Sequence, residues 1–168
     1  MGGSADRRMG RSRQAEQPQP PTRPTDLPRS GRLLGIDPGA KRIGLALSDP
    51  TQTLAQPLAT LTRRAGRRFP LGALRTLLEQ HQPVGVVIGL PLDPDGGEGP
   101  AARDARAIGT LVAEKTKLPI DYVDERMSTA YVRRAFADEP PRNRPRPDAV
   151  DRMAAIAILQ AFLDRRRA

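Results

Sequence analysis

Hydrophobic and polar positions along this chain change period several times, and each change marks an element. Leu33, Leu34 and Ile36 form a short apolar run that stops at Asp37-Pro38-Gly39, a turn signal. Ile43, Leu45 and Leu47 then alternate with Gly44, Ala46 and Ser48, the two-residue period of a strand. The two runs predict a hairpin closed by residues 38–42. A third extended piece over 53–61 completes a meander. Leu71, Leu74, Leu77 and Leu78 recur at helical spacing, and Pro83 ends that helix. Val84, Val86, Val87 and Ile88 are apolar on both faces, as in a central strand of a covered sheet. Residues 89–100 are a Gly/Pro/Asp loop. A helix is expected over 101–117, with Ile108, Leu111 and Val112 inward, and a buried strand over 120–123. Ser128 reads as the N-cap of a further helix through Tyr131, Val132, Ala135 and Phe136. The last helix spans 148–165 and carries Val150, Met153, Ala154, Ala157, Ile158, Ala161 and Phe162 in one wide stripe. The order β-β-β-α-β-α-β-α-α predicts a mixed α/β sheet covered on both faces.

Ahead of Leu33 the pattern vanishes. Residues 1–31 hold hardly an apolar side chain, with six Arg against three acids. Such a segment buries too little surface to offset the entropy of ordering, so the expected organisation is a disordered basic tail over 1–31 and one domain over 32–168. It has no apolar stretch of the kind a secretory signal needs.

Charge sharpens the picture. The chain has 168 residues and a formal net charge of +9, from 28 Lys+Arg against 19 Asp+Glu. Only three of those cations are Lys, so an Arg-rich composition competes with function as the origin of the excess. An anionic partner, nucleic acid first, is the functional reading. With five aromatics (two Tyr, three Phe and no Trp), a base-stacking platform is not expected, which favours structured or duplex nucleic acid. Zero Cys excludes a thiol nucleophile, a disulfide scaffold and Cys-ligated metal. The single His81 reads as a residue closing a helix. No apolar run approaches the roughly 20 residues that span a bilayer, so no membrane partner and a cytoplasmic location are expected.

The acids fall at element ends. Asp37 closes the first strand, Asp124 and Glu125 close the last, and Asp151 sits in the first turn of the last helix. Such ends are where α/β proteins build sites. Several carboxylates meeting there would need a cation to stay ionised, and a hard divalent ion suits oxygen ligands. Asp151 shares its helix face with Ala155 and Ile158, which directs it inward. Asp148 is expected to cap that helix. Asp37 also fits a plain turn-former before Pro-Gly. Asp124 and Glu125 point to opposite faces if the strand persists, so at most one of them faces the site. Arg126 suits either a structural ion pair or a bidentate phosphate contact. Lys41 and Arg42 at the hairpin, and Arg142, Arg144 and Arg146 in the Pro-rich loop 139–147, are candidates for backbone phosphates. Backbone N–H groups of the loop 89–100 are candidates for a phosphate cradle.

Four stretches together resemble the YqgF (RuvX) family: Gly35-Ile36-Asp37-Pro38-Gly39-Ala40-Lys41-Arg42-Ile43-Gly44; Gly89-Leu90-Pro91 with Asp95-Gly96 and Gly99-Pro100; Asp124-Glu125-Arg126-Met127-Ser128-Thr129; and Asp151 with Ala154-Ala155 and Ile158-Leu159. The resemblance covers roughly residues 32–165. It implies an RNase H-like fold, a mixed five-stranded sheet flanked by helices, related to Holliday-junction resolvases. It implies a nuclease maturing the 5′ end of pre-16S ribosomal RNA, with Asp37, Glu125 and Asp151 as a catalytic, metal-holding triad for Mg²⁺ or Mn²⁺. On that scheme Asp37 bridges two metals. Family members often carry lysines just before the last acid, where this chain has Pro147 and Ala149; Arg142, Arg144 and Arg146 lie slightly upstream.

Three rivals follow from the same residues. A junction resolvase on branched DNA needs two active sites, so a dimer favours it and a monomer favours RNA processing, on free precursor or on ribosomal particles. A non-catalytic RNA-binding assembly factor would bind without cutting. A nucleotide-binding module of the sugar-kinase type shares the Asp-x-Gly hairpin but needs a second lobe.

Overall fold

The alternation in the second strand explains the whole layering. A computed structural model describes residues 27–64, 68–127 and 140–168. Its strands are β1 (Leu33–Pro38), β2 (Arg42–Ser48), β3 (Ala55–Thr62), β4 (Gly85–Leu90) and β5 (Ile120–Asp124). They form one sheet in the order β3-β2-β1-β4-β5. β2 is antiparallel to β1 and to β3, while β4 and β5 run parallel to β1 and to each other. Only β2 is reversed, which is the mixed arrangement that the RNase H-like resemblance requires.

Large side chains go to one face and small ones to the other. Leu34, Ile36, Ile43, Leu45, Leu47, Val86 and Ile88 pack in one core cluster with Leu74 of α1 (Leu71–His81) and Ala105, Ile108 and Val112 of α2 (Pro100–Thr116). Leu33, Ala46, Val87 and Val123 pack in the other, with Ala155, Ile158, Leu159, Phe162 and Leu163 of α3 (Pro147–Arg167). β4 is apolar throughout because both of its faces are covered. Each fully buried Leu or Ile of α3 contributes roughly 1.5–3 kcal/mol.

The α3 face of the sheet is lined by glycine where the helix crosses. A Cβ on Gly35 would lie 2.8 Å from Leu159 Cβ, and one on Gly44 would lie 2.0 Å from the Asp151 carbonyl oxygen. The helix backbone therefore sits directly on β1 and β2, closer than any side chain allows. This fixes the first turns of α3 over the ends of β1 and β2.

Two expectations shift. The ordered body begins before residue 32: Leu27 is buried in the α3-side core, and Gly31 N donates to Pro50 O. Arg166 near the end of α3 holds this segment by donating to the carbonyls of Leu27 (2.6 Å) and Pro28 (3.2 Å). Asp148 is not the cap of α3: Arg146 is, with Pro147 in the first turn and no side-chain cap bond. Asp148 instead pairs with Arg152 one turn on, at 3.2 Å. Residues 1–26 of the tail expected over 1–31, and the helix expected after Ser128, lie outside the described residues.

Candidate active site

β1, β4 and β5 run parallel, so their carboxyl ends share one edge of the sheet, and α3 begins over that edge. Asp37 is the second-to-last residue of β1 and is 3% exposed. Counting by twos along the strand puts it on the side of Leu33 and Gly35, the α3 face. Its register partner in β2 is Gly44, the glycine on which the Asp151 backbone rests.

On the other side of β1 the same device recurs. Ile36 pairs with Ile88, so Gly89 comes next in β4. A Cβ on Gly89 would lie 2.4 Å from Glu125 Oε1 and 2.5 Å from Ile158 Cδ1. Glu125 opens a single 3₁₀ turn after β5, and its carboxylate folds over Gly89 toward α3 at 6% exposure. A row of glycine, aspartate and glycine thus crosses the sheet. The left glycine admits the start of α3, and the right one admits the Glu125 side chain. Carboxylates buried this deeply need hydrogen bonds or a cation to remain charged.

Asp151 reaches the same region from the helix. Arg42, the first residue of β2, donates Nε to Asp151 Oδ2 at 2.6 Å, with the two side chains 39% and 20% exposed. The inward direction expected for Asp151 holds, since Ala155 and Ile158 below it are fully buried.

Asp124 and Glu125 turn to different neighbours. Asp124 turns to Arg126, which meets it through Nε and Nη2 at 2.6–3.1 Å. That hydrogen bonding holds the Asp124 carboxyl below the usual carboxylate range and raises the Arg126 guanidinium. Arg126 also reaches the carbonyls of Asp93 and Pro94 at 3.4 Å. Of the two roles open to it, the structure shows the ion pair, which ties the loop 91–99 to the end of β5.

That loop spends its amides on itself. Gly96 N donates to Asp93 O, Asp93 N to Gly97 O, and Gly97 N to Asp95 Oδ1. These amides are directed at acceptors of their own loop rather than outward.

The basic candidates frame the acids. Lys41 is exposed at the hairpin tip, and Arg142, Arg144 and Arg146 are exposed in the turn before α3. Arg146 Nε lies 3.6 Å from Asp148, with its side chain 90% exposed. His81 ends α1, as expected.

Arg63 is a residue that sequence reasoning missed. It follows β3 directly, and its side chain is 5% exposed. Two Nη atoms meet the Asp104 carboxylate of α2 at 2.7 and 3.0 Å, and Nη1 also donates to Gly39 O at 3.2 Å. Its backbone N donates to Lys41 O at 2.9 Å. Arg63 therefore grips both sides of the turn that follows Asp37. Nothing in a chain this rich in Arg marks one as buried.

Among the described residues, no group of three or more His, Cys, Asp or Glu side chains is drawn together as a metal-holding cluster. The backbone converges the three acid positions on one edge and one face, while the Asp151 carboxylate is taken by the Arg42 guanidinium. The donor set is all carboxylate oxygen, which suits a hard divalent cation. The side chains as placed among the described residues form no such site, and Asp151 would have to leave Arg42 to join one.

Comparison with known proteins gives the following. The RuvX family, described as Holliday junction resolvase, matches residues 31–165. A protein of Cereibacter sphaeroides (strain ATCC 17025 / ATH 2.4.3) named "Putative pre-16S rRNA nuclease" is 41% identical over 139 residues, covering 83% of this chain and 86% of that protein. A protein of the same name from Caulobacter vibrioides (strain NA1000 / CB15N) is 44% identical over 145 residues, covering 84% and 91%. Among solved structures, T. thermophilus RuvC in complex with Holliday junction substrate is 17% identical, with a TM-score of 0.49, covering 82% of this chain and 96% of that one.

Proposed function

The chain belongs to the RuvX family, and from that premise we propose that it is a divalent-metal-dependent endonuclease that processes the 5′ end of pre-16S ribosomal RNA in the cytoplasm. The observation that carries the reading is the row Gly44–Asp37–Gly89, which clears space for Asp151 and Glu125 beside a buried Asp37.

Asp37, Glu125 and Asp151 would hold Mg²⁺ or Mn²⁺. Bound there, the ion would lower the pKa of water and offset negative charge on the phosphoryl and leaving oxygens. The chain's own part is positioning. Asp37 is fixed by a central strand, Asp151 by a helix seated on glycine, and Glu125 by a turn tied to β5. Arg42 orients the Asp151 carboxylate until an ion takes it. Lys41, Arg142, Arg144 and Arg146 lie exposed on the same rim and hold backbone phosphates; Arg126 acts through Asp124 instead. No side-chain nucleophile is needed, in keeping with a chain without Cys.

The family description favours one second reading, cleavage of four-way DNA junctions by a dimer. Purified protein with Mn²⁺ is offered 5′-extended 16S precursor and a four-way junction in parallel. Cutting of the precursor at a defined position, with the junction intact, supports the proposal. Symmetric junction cutting with the precursor intact overturns it for the second reading. Tight RNA binding with neither cut replaces it with a non-catalytic assembly role.

A further inference from the structure

At the far end of α3 from Asp151, three guanidinium side chains surround a small cleft. Its lining is Arg29, Thr51, Gln52, Leu163, Arg166 and Arg167, and its volume is about 70 Å³. The compensating groups do not match the charge. Arg167 meets Asp164 at 2.6 Å. Among the described residues, Arg166 donates to neutral oxygens: the carbonyls of Leu27 and Pro28, and Gln52 Oε1 at 2.8 Å. Arg29 donates to a carbonyl, Arg166 O, at 3.4 Å. Arg166 Nε is buried with no hydrogen-bond partner among the described residues.

Cations in the last turn of a helix suit its negative end, which accounts for Arg166 and Arg167. It does not account for Arg29. That residue comes from a separate segment and adds a like charge beside Arg166, and burial together with that repulsion holds the Arg166 guanidinium below its usual range. Asp121 on β5 is the acid that opposes this effect. Guanidinium forks converging on a space of roughly two water volumes match one tetrahedral oxyanion.

We propose that the Arg29–Arg166–Arg167 cleft is a phosphate-binding subsite that holds one phosphate group. Fifteen residues separate Asp151 from Arg166 on α3, or about 22 Å at 1.5 Å per residue. A nucleic-acid backbone lying along α3 reaches both ends. The same chemistry would take free phosphate, so the test separates the two sources.

The full chain is compared with Arg29→Ser/Arg167→Ser, two exposed positions that leave Arg166 holding Leu27 and Pro28. Binding of a short RNA duplex is measured in EDTA from 50 to 200 mM salt, where cleavage plays no part, so failure here is distinct from failure of the nuclease reading. Each lost phosphate contact lowers the log–log salt slope by about 0.9. The double variant is expected to lose that one contact, so the parent's affinity falls about three- to fourfold more than the variant's across that range. In a second arm, inorganic phosphate replaces chloride at matched ionic strength and thermal midpoints are read. A phosphate-specific rise in the parent that is absent from the variant, with unchanged salt slopes, assigns the subsite to free phosphate. Superimposable slopes together with equal midpoints overturn the proposal.

Discussion

Replacing Gly44 by alanine tests whether α3 rests on the sheet beside Asp37. The added Cβ would lie 2.0 Å from the Asp151 carbonyl oxygen and 2.5 Å from its carbonyl carbon. Both are backbone atoms of a helix, so no rotamer change relieves the clash. Ordinary contact begins near 3.4 Å, so the first turns of α3 must lift by more than 1 Å, as an order of magnitude. Overpacking of this kind costs about 1–3 kcal/mol, which for a domain of this size lowers the melting midpoint by about 3–10 °C. The lift also carries Asp151 away from Asp37, so Mn²⁺ affinity should fall about tenfold, on the scale of lost metal-site support. Gly72 supplies the internal control. A Cβ there meets nothing within 4 Å, and the residue lies in the first turn of α1. Gly72→Ala should gain about 0.5 kcal/mol through the unfolded chain and leave Mn²⁺ affinity unchanged. Urea titration and isothermal titration with Mn²⁺ read both quantities. Equal stability and equal Mn²⁺ affinity for Gly44→Ala and the parent would refute the close seating of α3.

Three further outcomes are expected. Arg63→Met leaves the Asp104 carboxylate and the Gly39 carbonyl without that donor, at a cost of about 1–3 kcal/mol in urea titration, of which Arg63→Lys recovers only part because it cannot bridge both acceptors. Burial holds the Asp121 carboxyl above its usual range, so its ionised form opposes folding, and the stability present below about pH 4 is lost as pH rises. Asp121→Asn should therefore raise the melting midpoint at pH 7 by about 1–3 °C, with the difference closing below pH 4. Asp49 has the opposite sign. The amides of Leu54, Thr53 and Thr51 and the Thr51 hydroxyl hold its carboxyl well below the usual range. Asp49→Asn should cost about 1–2 kcal/mol at pH 7, and that loss should vanish as pH falls through the acid range.

The layering was legible because period and residue size carry it. Ile43-Gly44-Leu45-Ala46-Leu47 already separates a face for large side chains from a face for small ones, and β4 reads as central because it is apolar on both. The positions of Asp37, Glu125 and Asp151 at element ends were legible for the same reason. What the pattern hides is long-range pairing. The bond between Arg42 and Asp151 spans 109 positions, and that between Arg63 and Asp104 spans 41. Nor does strand alternation decide between Asp124 and Glu125, since β5 gives way to a 3₁₀ turn at Glu125. The Glu125 carboxylate lies over Gly89 in a neighbouring strand, a contact that no local pattern shows. Leu27 reads as part of a polar tail because the residues that hold its segment, Arg166 and Gln52, lie far along the chain.

The central claim is that the buried Asp37 serves cleavage rather than folding. Its most direct test is Asp37→Asn, which keeps the shape and removes the charge. Cleavage of 5′-extended 16S precursor RNA in Mn²⁺ should fall at least about 100-fold, beyond the effect of losing an outer-shell partner. The melting midpoint of the metal-free protein should change little, because Asn keeps the shape of Asp. An Asp37→Asn variant that cuts at the parent's rate, or one that loses both fold and cleavage together, would contradict the account.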